Sequence, residues 1–140
     1  MIRAVFDCGV IISAIAWPGN PRACLGLVAH RQVRLCATTD VWSEYDERIP
    51  EILREIRPKV SPRATLDWVL TVLYFVEPAP LGKRRSLDPK DDRYLACALG
   101  AEAEAIVTND RDLLALGKPF GISICTPIEF LKLVRSRLET

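Results

Sequence analysis

A chain of 140 residues is long enough for one packed domain, and its 49% hydrophobic content excludes an intrinsically disordered protein. A net charge of +1 excludes a broad basic face that grips nucleic acid by charge alone, though it leaves room for a local basic strip. Five cysteines without a C-x-x-C pair suggest neither a disulfide framework nor a zinc site and fit a reducing compartment, and the single histidine excludes a metal-free ribonuclease using two histidines as acid and base.

Ile2–Phe6 is a short apolar run and reads as the first strand, with no signal-peptide core around it. Asp7 follows directly. His30 falls in the helical stretch that comes next and reads as a surface residue. Val33–Ala37 is the second strand. Val41, Tyr45, Ile49, Ile52, Leu53 and Ile56 then recur at helical spacing and define one apolar face. Glu44 lies at the edge of that stripe, where it either reaches solvent or an arginine such as Arg48, or holds a cation. Ser61-Pro62 opens a further helix, as an N-cap followed by proline at the first helical position. A weaker strand lies near Leu73–Val76, and Glu77–Arg85 reads as a surface loop too short to separate a pair of domains.

Asp88 and Pro89 supply the N-cap and first position of the next helix, which puts Asp91 and Asp92 in its first turn, where the helix dipole favours acids. Asp91 shares a face with Leu95 and Ala98 and so aims at the apolar side; Asp92 aims at solvent. Ala105–Thr108 is the fourth strand, with Asp110 two residues beyond it, and Gly121–Cys125 is the fifth. Thr126-Pro127-Ile128-Glu129 has the form of a capping box, and the helix it opens carries Ile128, Leu131, Val134 and Leu138 along one side. Trp17, Trp42 and Trp68 read as core or dimer-contact residues. Short strands alternating with helices give an α/β fold with a mostly parallel central sheet. No apolar run approaches the roughly 20 residues of a membrane span, so a soluble, cytoplasmic protein is expected.

In such sheets ligands bind beyond the carboxyl ends of the strands, and two strands deliver an acid to that rim, Asp7 and Asp110. Either could equally cap the helix that follows. Carboxylates brought together raise one another's pKa. A hard cation such as Mg²⁺ or Mn²⁺ relieves the repulsion, takes oxygen ligands, and acts on phosphoryl groups.

Four segments together resemble the PIN-domain family: Val5-Phe6-Asp7-Cys8-Gly9-Val10-Ile11-Ile12-Ser13-Ala14, Ser43-Glu44-Tyr45, Asp88-Pro89-Lys90-Asp91-Asp92 with Ala96-Cys97-Ala98-Leu99, and Ile106-Val107-Thr108-Asn109-Asp110-Arg111-Asp112-Leu113-Leu114. They stand in the family's order over nearly the whole chain, and within the family the chain resembles VapC-like toxin components of toxin–antitoxin systems. The resemblance implies a three-layer α/β sandwich around a five-stranded parallel sheet of order 3-2-1-4-5. It implies an Mg²⁺- or Mn²⁺-dependent endoribonuclease, a homodimer, and neutralisation by a cognate antitoxin. The catalytic and metal-holding acids it implies are Asp7, Glu44, Asp91 and Asp110, with Ser13, Thr108, Asn109 and Asp112 as outer-shell residues or phosphate contacts. One position departs from the pattern: many members carry Asn or Thr two residues after the first acid, and Gly9 stands there.

Lys83-Arg84-Arg85, just ahead of the third acidic segment, is a candidate strip for RNA phosphates, with Arg111 as a nearer candidate. Two other readings compete. A PIN fold that has lost catalysis and acts as a binding module is favoured by Gly9 and opposed by the four acids. A phosphatase or phosphoacceptor domain with Asp7 as nucleophile lacks the second acid such sites carry near that position.

Overall fold

A computed structural model of the chain describes residues 1–82 and 89–139. Five strands run in parallel: β1 (Ile2–Phe6), β2 (Val33–Ala37), β3 (Tyr74–Phe75), β4 (Ala105–Val107) and β5 (Ser123–Cys125). Their order in the sheet is β3-β2-β1-β4-β5, as the resemblance implied. The helices between them are α1 (Cys8–Ala16), α2 (Asn20–Ala29), α3 (Thr39–Ile56), α4 (Pro62–Val72), α5 (Pro89–Gly100), α6 (Arg111–Leu114) and α7 (Pro127–Leu138). From β1 the chain winds outward through β2 to β3, then crosses back to β4 and β5. Parallel connections of one hand therefore place crossover helices on both faces.

Continuous apolar runs become central strands because both of their faces are covered. β1, β2 and β4 are almost wholly buried. The edge strand β3 is only two residues long and exposed, and its Tyr74 ring lies beneath the guanidinium groups of Arg34 and Arg3, at 4.8 and 5.5 Å. β5 starts later than the sequence implied, because Gly121 turns at φ 79° and ends a short 3₁₀ turn first.

Side-chain caps start the helices as read from the sequence. Ser61 accepts from the Ala64 amide, and Thr126 with Glu129 closes a capping box. His30 lies one residue past the end of α2 and is exposed. In α7 the expected apolar face is corrected: Pro127, Phe130 and Val134 are buried, whereas Ile128 and Leu138 are exposed. Phe130 decides the rotation, packing edge-on against Phe6 at 5.8 Å between ring centres. Trp42 and Trp68 pack against the core, but Trp17 is 52% exposed and is not a core residue.

All five cysteines are free and buried. Burial pushes the Cys36 thiol up to about 11 and those of Cys8, Cys24, Cys97 and Cys125 up to about 12, so they act as small hydrophobic residues. Among the described residues no helix is long and apolar enough to cross a membrane.

Candidate active site

The strand order reverses between the neighbours β1 and β4, the place where open parallel sheets form their ligand crevice. Asp7 and Asp110 stand beyond the carboxyl ends of these two strands. Both also cap helices. Asp7 Oδ1 accepts from the Val10 amide at 2.9 Å, at the start of α1, and Asp110 Oδ1 accepts from the Asp112 amide at 2.8 Å, at the start of α6. Capping and crevice position do not compete here, because a carboxylate has about four acceptor sites and a cap occupies one of them.

Thr108, fully buried, ties the two acids together. Its hydroxyl donates to Asp7 Oδ2 and accepts from the Asp110 amide at 2.9 Å. Burial suits it to orient that loop and keeps it from touching a phosphate directly. The pKa of Asp7 is raised from its ordinary value, chiefly by burial and further by the charges of Asp110 and Glu44; the bonds from Thr108 and Val10 oppose the rise.

A cleft of about 340 Å³ opens at this point, lined by Asp7, Glu44, Asp91 and Asp110, with Ser13, Asn109 and Arg48 also on its walls. Asp91 projects from the first turn of α5 and is buried, as the helical spacing implied, whereas Asp92 is half-buried and not the fully exposed residue expected. Carboxylate oxygens of Asp91, Asp110 and Asp112 lie within 4.8 Å of one another. An all-oxygen set of this kind fits a hard divalent cation.

Glu44 is 7% exposed, and its burial depends on a partner fifty residues away that sequence reasoning missed. The buried Tyr94 hydroxyl donates to Glu44 Oε1 and accepts from the Cys8 amide at 3.1 Å, tying α3, α5 and the N-terminus of α1 together at the cleft. On the other oxygen of Glu44 lies Arg93, at 3.6 Å, where the sequence had suggested Arg48. Burial, followed by charges of neighbouring Tyr45 and the bond to Glu44, pushes the Tyr94 hydroxyl far above its ordinary value, so it remains a donor. Tyr45 similarly donates to the Phe6 carbonyl from beneath.

A sequence profile described as PIN domain matches residues 3–112. The chain belongs to the PIN domain family. No curated protein matches the sequence significantly. Among solved structures, that of PAE2754 from Pyrobaculum aerophilum is similar to this PIN domain with a TM-score of 0.61 over 96% of this chain and 90% of that one, at 22% identity; a likeness at that identity speaks for the fold alone. PIN domains are typically metal-dependent nucleases, which is the chemistry an acidic cluster at this crevice suits. The phosphoacceptor reading of Asp7 loses its ground with the family assignment.

Of the residues named from sequence, the structure brings Asp7, Glu44, Asp91, Asp110, Ser13 and Asn109 into one cleft and sets Asp112 beside Asp91 and Asp110. Arg111 is exposed at the start of α6 and does not line the cleft. Lys83, Arg84, Arg85 and the Asp88 cap lie outside the described residues.

Proposed function

We propose that this PIN domain is a metal-dependent endoribonuclease that hydrolyses RNA phosphodiester bonds, and that it is the toxin of a toxin–antitoxin pair, acting in the cytoplasm as a homodimer. The observation that carries the nuclease reading is the convergence of Asp91, Asp110 and Asp112 within 4.8 Å in the cleft that Asp7 and Glu44 share. These acids would hold Mg²⁺ or Mn²⁺, which when bound polarises a phosphoryl oxygen and makes water more acidic. The protein's own role is positional. Thr108 fixes Asp7 relative to Asp110, Tyr94 fixes Glu44 relative to α1, and Ser13 and Asn109 offer polar contacts on the cleft wall.

The toxin, dimer and antitoxin assignments rest on the four-segment resemblance. Their test is growth arrest on expression, and sedimentation of the purified protein alone. The nuclease reading is tested by incubating total RNA with the protein in Mg²⁺, Mn²⁺ or EDTA beside Asp91→Asn. Cleavage that needs metal and disappears in the variant supports it.

Gly9 favours a second reading, a PIN fold that binds RNA without cutting it. A Cβ at Gly9 would lie 3.5 Å from Asp7 Oδ1, so the side chain that is missing is one that would stand at the cluster. RNA binding without cleavage under any metal would select that reading.

A further inference from the structure

The acidic cleft has a neighbour on the far side of Glu44. A second cleft, of about 410 Å³, lies along α3 and is lined by Asp40, Ser43, Glu44, Glu47, Arg48 and Arg93. Glu44 and Arg48 line both hollows, which therefore adjoin along α3 with Glu44 as their shared wall. A strand of RNA brings a negative charge at every nucleotide, and four carboxylates on the wall of the first hollow repel it. Arg48 is the one cation among the described residues that line that hollow.

Arg48 stands exposed on α3 and forms no salt bridge with any described residue, despite acids in both hollows. Arg93 makes a long contact to Glu44, 3.6 Å, with its side chain 40% exposed. A guanidinium has five N–H donors in a fork that matches phosphate oxygens, so both groups keep donors for a ligand. They lie on different helices, α3 and α5, which border the same groove.

We propose that Arg48 and Arg93 form the phosphate track of this enzyme. On the nuclease reading, on which this rests, single-stranded RNA runs over α3 from the second cleft into the acid cluster. Arg48 seats the phosphate beside the one cut, and Arg93 seats the next one outward. The track replaces the Lys83–Arg85 strip as the principal cationic contact.

The test is binding of a short fluorescein-labelled single-stranded RNA in Ca²⁺, followed by anisotropy between about 50 and 200 mM KCl, with cleavage in Mn²⁺ measured separately. Arg48→Ala and Arg93→Ala should each flatten the slope of log K against log salt by about 0.7, one single-strand phosphate contact apiece. Each should raise KM several-fold, and Arg93→Ala, which also removes the ion pair to Glu44, should lower kcat more than Arg48→Ala does. Arg48→Lys should retain the slope, because the slope counts charge. Arg84→Ala with Arg85→Ala should change it less than either groove variant. Unchanged slopes in both groove variants overturn the track, and so does a larger loss in the Arg84/Arg85 variant. A wild type that binds but does not cut defeats the nuclease reading and leaves the slopes to decide the track. A wild type that neither binds nor cuts defeats both.

Discussion

Removing one oxygen from Tyr94 should reveal how much the cleft depends on it. Tyr94→Phe keeps the ring, which is 3% exposed, and deletes the hydroxyl that serves two buried partners. The Cys8 amide belongs to the first turn of α1, where backbone N–H groups have no partner within the helix, so it would be left buried and unpaired at about 1–3 kcal/mol. The bond to the Glu44 carboxylate, involving a charged acceptor, contributes about 1.5–3 kcal/mol. These losses are not additive, since Glu44 keeps its contact to Arg93, and a combined destabilisation of about 2–4 kcal/mol is expected. For a domain of this size that lowers Tm by about 10 °C. Thermal melts followed by circular dichroism in EDTA measure it directly. A fall of less than about 2 °C would mean that water or a shifted backbone satisfies both partners, and that Tyr94 does not hold Glu44 in place.

Asp7→Asn should stabilise the metal-free protein at pH 7, and the gain should fade in acid. Because the folded pKa of Asp7 lies above 3.8, the native state binds the proton more tightly; its contribution to stability is whole below 3.8 and is lost as pH rises through the folded value. Melts at pH 7 and in mild acid that show an equal difference between variant and wild type would contradict this. Gly9→Asn meets only an ordinary contact at 3.5 Å and no left-handed backbone, so it should leave stability within about 0.5 kcal/mol and enlarge the thermal shift caused by Mn²⁺. Gly100→Ala would put its Cβ 2.0 Å from the Glu77 carbonyl oxygen, and should cost about 1–3 kcal/mol, read from urea denaturation. The five buried thiols should resist a thiol reagent until the protein unfolds; rapid labelling of native protein would show that the core opens.

The regions of the fold that could be read from sequence were those with local causes. β1 and β2 match their apolar runs residue for residue because both are buried on two faces. Ser61, Thr126 and Glu129 announce helix starts through groups three residues apart. The face of α7 could not be read locally, since Leu131 and Val134 belong to two overlapping stripes and only Phe6, more than a hundred residues away, selects the one with Phe130. Among the site residues, Asp7, Asp91 and Asp110 were marked by position at strand and helix ends, which fix direction. Glu44 was ambiguous because its burial is conferred by Tyr94 and its ion pair by Arg93, both on α5. No periodicity within α3 carries that information. In the sequence Arg48 stands out only as a partner for Glu44, and its place on the wall of two hollows follows from the packing of α3 beside the crevice.

The capping and chemical readings of Asp7 and Asp110 began as rivals, and the structure joins them. One oxygen of each carboxylate is used by a helix amide, while Thr108 links Asp7 to the Asp110 backbone. The helix starts thereby fix where both charges stand, so no separate scaffold is needed to aim them. This separates two kinds of substitution. Asparagine at Asp7 or Asp110 keeps an acceptor for the amide and removes charge, so it should silence the site and preserve the fold. Alanine removes both, and a lost cap adds about 1 kcal/mol of destabilisation. If Asp110→Ala proved as stable as Asp110→Asn while equally inactive, the cap at α6 would be dispensable, and the placement of Asp110 would have to come from the β4 loop alone.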